Sequence, residues 1–381
     1  MNFKILLQGS AAALLAISGA RAADAVVVAE PEPAEYVKIC DVYGTGYFYI
    51  PGTETCLRVG GYIRYDVGIG DGGSFDGRRA QDVRTGKEQN SWSTWLRFAL
   101  ETWTGQETEL GSLKTYTSTH FHYVDGHNMM TLNFAWMQLG GLRIGKDESA
   151  YDTFTGYAGN VIQDTLIPYG EFDTNLISYT FDAGAGFSAI VSLEQGSGGY
   201  RYRRDLDGDG VIDPVNEELV SENTIDDYVP NIVVGAKYTQ GWGGVSGIIA
   251  YTHGYEEWAG KVRLDVNATD QLSLFIMGGY GTDDNIERSF YKPWGGNWAI
   301  WGGGTYKFNE KTSFNAQLSY DDDRNLGVAA NVSHILVPGF TVTAEADYLR
   351  EGNFDKFAHS SWTGATNKNS VGGIVRFQRD F

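Results

Sequence analysis

From Leu57 to the C-terminus the chain reads as short runs in which apolar and polar residues alternate one by one, the period of a strand with two unlike faces. In the run 258–267, Trp258, Val262, Leu264 and Val266 share one face, and Lys261, Arg263, Asp265 and Asn267 share the other. Phe314, Ala316, Leu318 and Tyr320 alternate with Asn315, Gln317, Ser319 and Asp321, and the rule repeats through 187–194 and 340–348. Turn signals divide the segment into sixteen candidate strands, at about 57–67, 92–103, 112–123, 131–139, 141–146, 174–182, 186–194, 231–239, 244–253, 257–267, 271–281, 297–308, 312–320, 326–334, 339–350 and 370–381. Counting alone also admits eighteen, and helical periodicity is almost absent.

The connections sort into two kinds. Short ones at Gly140-Gly141, 182–185, 268–270, 309–311 and 336–338 alternate with long ones at 68–91, 124–130, 147–173, 195–230, 282–296 and 351–369. Two more, 254–256 and 321–325, are short where a long loop is due. An even strand number with short turns at one end and long loops at the other is the signature of an outer-membrane barrel with both termini in the periplasm. The polar face carries full charges strand after strand, as a water-filled lumen requires. The expected fold is all-β, a transmembrane 16-stranded antiparallel up-and-down β-barrel over 57–381. Trp92, Trp103, Tyr123, Trp136, Tyr179, Tyr238, Trp242, Tyr251, Trp258, Tyr280, Trp298, Tyr306 and Tyr348 fall mostly near strand ends, where an interfacial girdle needs them.

Composition agrees. Aromatics make up 14% and glycines number 50, while mean hydropathy is −0.28 with no long apolar run past the N-terminus, which excludes a helical span. A net charge of −19 argues against a nucleic-acid partner. The first 22 residues read as an export signal: Lys4, then a mostly apolar stretch from Ile5 to Ile17, then Ala20-Arg21-Ala22 for cleavage after Ala22. Residues 23–56 then form a periplasmic segment before the barrel. Cys40 and Cys56 are the only two cysteines, and after export to an oxidising compartment they are expected to form a disulfide, worth about 3 kcal/mol on a chain-entropy argument.

The last strand ends in Phe381 with Phe377 and Val375 on the same face, and resembles the C-terminal signature by which the barrel-assembly machinery recognises outer-membrane barrels; Arg379 departs from it. Together with the run 47–66 (YFYIPGTETCLRVGGYIRYD), Leu139-Gly-Gly-Leu-Arg-Ile-Gly145, Thr153-Phe-Thr-Gly-Tyr157 and Gly373-Ile-Val-Arg-Phe-Gln378, the chain resembles the alphaproteobacterial general porins over nearly its whole length. The resemblance implies a homotrimer embedded in outer-membrane lipid, including lipopolysaccharide, that passes small hydrophilic solutes and ions by passive diffusion. It also implies a third long loop folded inward as a constriction.

That loop, 147–173, carries Asp147, Glu148, Asp152, Asp164, Glu171 and Asp173 and neither Lys nor Arg. Strand parity points Arg58, Arg64, Arg97, Lys114, Arg143 and Arg376 into the lumen from the early strands and the closing strand. Acids facing bases across a narrow aqueous gap make a transverse field that favours dipolar solutes. On this reading Lys237, Lys261, Arg263 and Lys307 belong to the wide far wall, where they merely solvate it.

Two other chemistries have residues in the chain that bear on them. Asp205, Asp207, Asp209 and Asp213 with Gly210 have the spacing of a calcium loop over 205–218, though position twelve is Asn216 and only Glu217 and Glu218 stand in for the usual glutamate. The same residues also read as an acidic loop made supple by glycine, and no cofactor is required. A hydrolase would need a nucleophile or acid beside one of the six histidines. No serine-centred elbow, HExxH or P-loop occurs, so the expectation is a channel and not an enzyme. A substrate-specific channel or an adhesin built on the long loops remains the alternative from a binding class.

Overall fold

The computed structural model describes residues 38–197, 201–205, 217–221, 225, 227–282, 289–352 and 367–381. The chain divides after Lys38, and the unit Ile39–Phe381 holds all the strands among the described residues. Sixteen of them close into one antiparallel barrel. They are β1 Cys56–Gly70, β2 Ser93–Thr108, β3 Gly111–Val124, β4 His127–Leu139, β5 Leu142–Glu148, β6 Asp173–Gly184, β7 Phe187–Glu194, β8 Asn231–Gln240, β9 Gly243–Thr252, β10 Glu257–Asn267, β11 Leu272–Gly281, β12 Trp298–Asn309, β13 Thr312–Asp321, β14 Leu326–Val337, β15 Phe340–Arg350 and β16 Asn369–Asp380. Each pairs with its neighbour in sequence, and β1 pairs with β16 from Tyr62–Asp380 to Gly70–Gly372. Closure removes the free edges that an open sheet would present. The last residue completes the seam, because Phe381 and Gly61 exchange two backbone hydrogen bonds (3.0 and 3.1 Å).

Burial is inverted relative to a water-soluble protein. Val262, Ile249, Ile276 and Leu318 stand exposed on the outer face, while Lys261, Gln317, Asn331 and Asp347 are buried within. Strands that turn charge inward and aliphatic side chains outward fit a surround of lipid.

All the expected strands are present, with ends shifted by a few residues. The segment 124–130 is no long loop: β3 runs into β4 through Asp125-Gly126, both at positive φ (49° and 93°), the tight turn that suits the twist of a hairpin. Two members of the expected girdle face inward. Trp103 lies opposite Arg58, and Trp136 stacks under Arg143 (4.1 Å from Cζ to the ring).

Cys40 and Cys56 are buried and joined by a disulfide, with Cα atoms 6.0 Å apart. The segment so tied is further fixed by a short strand, Phe48–Tyr49, that pairs with the start of β1. Its Tyr43 hydroxyl donates to Glu107 of β2 (2.7 Å).

Candidate functional site: the inner loop and the basic wall

The chain turns inward where β5 ends. This shortest barrel strand pairs with β4 only from Leu142 to Lys146, so the upper part of β4 loses its neighbour there. Lys146 fills two of the carbonyls left over, those of Leu132 and Asn133 (both 2.8 Å), and pairs with Asp173 (2.6 Å). Ser149 then caps a one-turn helix, Ala150–Thr153. Glu194 of β7 holds that turn, accepting from Ser149 Oγ (2.6 Å), from the Ala150 N–H (2.9 Å) and from the Tyr291 hydroxyl (3.0 Å).

From there the loop 149–172 runs along the inner side of the wall and is bonded in turn to β8, β10, β12, β13, β14 and β15. Lys237 of β8 donates to the Phe154 carbonyl (2.9 Å). Lys261 of β10 meets Asp152 Oδ1 (2.6 Å) and the Tyr169 carbonyl (2.8 Å), and Arg263 donates to the carbonyls of Gly156 and Tyr157. Trp301 of β12 donates to the Ile167 carbonyl (2.7 Å), and Gln317 of β13 to that of Asp164 (2.9 Å). Asn331 of β14 donates to the Asn160 carbonyl (3.0 Å), and Glu345 of β15 accepts from the N–H groups of Ile162 and Gln163 (2.5 and 2.7 Å).

Apolar packing lies under the same path. Tyr151 and Phe154 cluster with Val233, Ile248 and Ala250, while Ala158, Ile167 and Tyr169 cluster with Phe275, Met277 and Trp301. A third cluster joins Val161 and Leu166 to Ala329 and Leu349. At full burial such side chains contribute roughly 1.5–3 kcal/mol each, so the loop is a fixed part of the wall. At its root, between loop and wall, is a cavity of about 270 Å³ whose lining includes Arg143, Asp147, Thr153 and Lys237.

The acids are disposed differently from the sequence reading. Asp147 lies on the strand of Arg143 and bonds it (2.5 Å), so these two are neighbours on one wall and do not oppose each other. Glu148 is buried and accepts from the Tyr157 hydroxyl. Asp152 is fully buried against Lys261, each side chain at 0% exposure. Asp164 accepts from the Tyr169 hydroxyl (2.6 Å), and loss of water around it pushes its carboxyl up to about 7. Glu171 is exposed. Asp173 sits at the rim on the outward parity of β6, shared with Ile177 and Tyr179. Lys237, Lys261 and Arg263 are therefore no bare far wall; they hold the loop. The signal missed in the sequence is a set of apolar residues inside a loop (Tyr151, Phe154, Ile167, Tyr169) matched by Trp301 on a lumen parity.

The basic residues lie on β1, β2, β3, β5 and β16. Arg58 lies over the Trp103 ring (4.5 Å), and ring contacts continue through Tyr116 to Trp136 and Arg143, a ladder across β1 to β5. Lys114 lies 5.8 Å from the Tyr43 ring. Arg64 and Arg97 are opposite one another on β1 and β2, and Arg376 of β16 grips Asp66 with two bonds (2.8 and 3.0 Å). Of the calcium-type residues, Asp207, Asp209 and Asp213 and the side chain of Asp205 lie outside the described residues.

The sequence pattern of the family described as "Porin subfamily" matches residues 24–374. Porin Omp2b of Brucella suis is 49% identical to this chain over the full length of both, and Porin Omp2b of Brucella melitensis is 48% identical over the same span. Among solved structures, the outer-membrane channel DcaP of Acinetobacter baumannii matches 87% of this chain and 99% of its own (TM-score 0.58, 15% identity). A triple mutant of the Rhodopseudomonas blastica porin matches 85% of this chain and all of its own (TM-score 0.51, 14% identity). At these identities the two structures speak for the fold alone.

Proposed function

The chain belongs to the porin subfamily, and from that premise we infer that its lumen, narrowed by the loop 149–172, is the path along which small hydrophilic solutes and ions cross the outer membrane by passive diffusion. The observation that carries the narrowing is the row of bonds fastening this loop to β8, β10, β12, β13, β14 and β15. Arg58, Arg64, Arg97, Lys114, Arg143 and Arg376 line the complementary wall from β16 through β5 and set which solutes pass. Most acids of 147–173 serve as fasteners, so the field at the narrowing comes chiefly from the arginines.

The family indicates a channel and not an enzyme. A homotrimer is supported by the outer face of β2 and β3, where Thr102 meets Thr117 and Thr104 meets Thr115 (both 2.6 Å). Hydroxyl pairs on a surface of that kind fit contact with a second copy better than contact with acyl chains. Export through the 1–22 signal, lipopolysaccharide around the barrel and recognition of Phe381 by the assembly machinery complete the reading. The test is conductance of the purified protein in a planar bilayer. Stepwise insertion of open channels is expected, with larger steps when 157–167 is deleted; no conductance, or unchanged steps in the folded deletion, overturns it.

A further inference from the structure

Arg376, Arg64 and Arg97 come together on the lumen face of three adjoining strands, β16, β1 and β2. Arg64 and Arg97 are directly opposite across the β1–β2 ladder, and the charges of Arg97 and Arg376 both act on Arg64. Like charges in that relation are destabilising. The carboxylate set among them is Asp66, which takes both bonds from Arg376 and stands 3.3 Å from Arg64 Nε without a hydrogen-bonding angle. Glu345, also near Arg376, is committed to Ile162 and Gln163 of the loop and to Asn331 of β14.

The donors tell the same story. Arg64 is only 8% exposed, yet its Nε and Nη2 meet no acceptor, and neither does Nε of Arg97, whose Nη1 donates to the Tyr62 hydroxyl (3.2 Å). Buried guanidinium nitrogens are normally satisfied, because leaving one unmade costs about 1–3 kcal/mol or more. Here the vacant donors belong to the two arginines that face each other. His122, opposite Arg97, accepts from the Trp95 indole at Nδ1 (2.8 Å), so its neutral ring carries its N–H at Nε2. Phe75 of the first long loop lies 5.5 Å from the Arg64 guanidinium and 5.2 Å from that of Arg376, an apolar cover that strengthens any charge interaction beneath it.

We propose that Arg64 and Arg97 form a binding subsite for a small oxyanion, a phosphate or a carboxylate, drawn from the solutes that move along the lumen. The proposal rests on the channel reading and adds a discrete, saturable site to it. Guanidinium forks match paired oxygens, which a chloride ion does not offer. Asp66 is bonded to Arg376 and stands beside Arg64, and Arg97 adds a third positive charge, so two positive charges stay unmatched among these four groups, and a dianion suits them better than a monoanion.

The test is single-channel current at pH 8 in fixed KCl with added inorganic phosphate, and in a parallel arm acetate, with ionic strength balanced by KCl. Current through the native channel should fall saturably with phosphate, with acetate acting only at concentrations at least tenfold higher. Arg64→Gln and Arg97→Gln should each raise the half-saturating phosphate concentration at least tenfold, and Arg64→Lys should recover only part of that loss. Lys307→Gln, which removes an exposed charge elsewhere on β12, should leave phosphate binding unchanged. Heat-modifiable migration reports that each barrel is folded, and Arg97→Gln serves if Arg64→Gln is not. A pore that conducts KCl but shows no saturable phosphate effect overturns the subsite and leaves the channel standing. Equal shifts from Arg64→Gln and Lys307→Gln overturn it too. A protein that conducts nothing removes both readings.

Discussion

Replacing Lys261 by Met should unseat the loop 149–172 while the barrel stays folded. Lys261 Nζ lies 2.6 Å from Asp152 Oδ1, donates to the Tyr169 carbonyl and sits 4.1 Å from the Tyr151 ring, with both charged side chains wholly buried. At that separation an effective dielectric constant of 20 gives an attraction of about 6 kcal/mol, most of it offset by desolvation of the two ions. Removing one partner leaves the other charge stranded at a cost of about 3–5 kcal/mol, which is about a 10²-fold or larger change in the docked population. Asp152 has a way to reduce that cost, since burial already raises its carboxyl above the usual range and the loss of Lys261 raises it further. Protonation then favours the docked loop below the shifted value, and the defect grows as pH rises through it. Lys261→Met should therefore give larger and noisier single-channel steps and faster proteolysis within 149–172 at pH 8, with a milder effect at pH 5. Asp152→Asn combined with Lys261→Met removes both charges and should restore much of the docking. If Lys261→Met matches the native channel in step size and protease resistance at pH 8, or if the double variant is no better than the single one, the buried pair does not hold the loop.

Asp164, raised to about 7 by burial, binds its proton more tightly in the docked loop than free in water. Docking should be strongest near pH 4 and weaken as pH rises toward and through 7, and Asp164→Asn should flatten this part of the dependence in a protease-protection series. Reduction of Cys40–Cys56 should add two hydrogens to the intact mass and expose the segment 39–55 to protease while barrel migration is unchanged; free thiols in native protein would contradict the bond. The spacing of Asp205, Asp207, Asp209 and Asp213 predicts weak calcium binding, at roughly 10⁻⁴ to 10⁻³ M, read as protease protection that Asp205→Ala with Asp209→Ala abolishes.

Strand count and pairing order were legible because each depends on a local rule. A strand shows its two faces every second residue, and an up-and-down barrel joins each strand to the next in sequence, so parity at Arg64 or Lys261 needs no knowledge of distant residues. The turn Asp125-Gly126 was misjudged for a local reason too: 124–130 is polar enough to look like a loop, yet an Asp-Gly pair is all the hairpin needs. Aromatics near strand ends divided the same way. Tyr123 and Trp258 are exposed on the outside, whereas Trp103 and Trp136 keep the inward parity of Arg58 and Arg143, a test that their position along the strand had overridden.

What the chain order hides is which groups meet across the lumen. Asp152 and Lys261 are 109 residues apart and Gln163 and Glu345 are 182 apart, so neither pairing leaves a trace in periodicity. Charge sign alone favoured acids of the loop facing arginines of the early strands, because open water between them would leave both exposed. The deciding term is desolvation: the loop brings Tyr151, Phe154, Ile167 and Tyr169 against the apolar patch of β8 to β12, and once it docks there Asp152 leaves water and must find a cation. Lys261 is the lysine whose stem reaches that point, and Gly170 makes room for the pair, since a Cβ there would sit 1.9 Å from Asp152 Oδ1. The apolar contacts thus choose the wall, and the charges follow. On the opposite side Arg143 takes Asp147 and Arg376 takes Asp66, while Arg64 and Arg97 keep their unfilled donors.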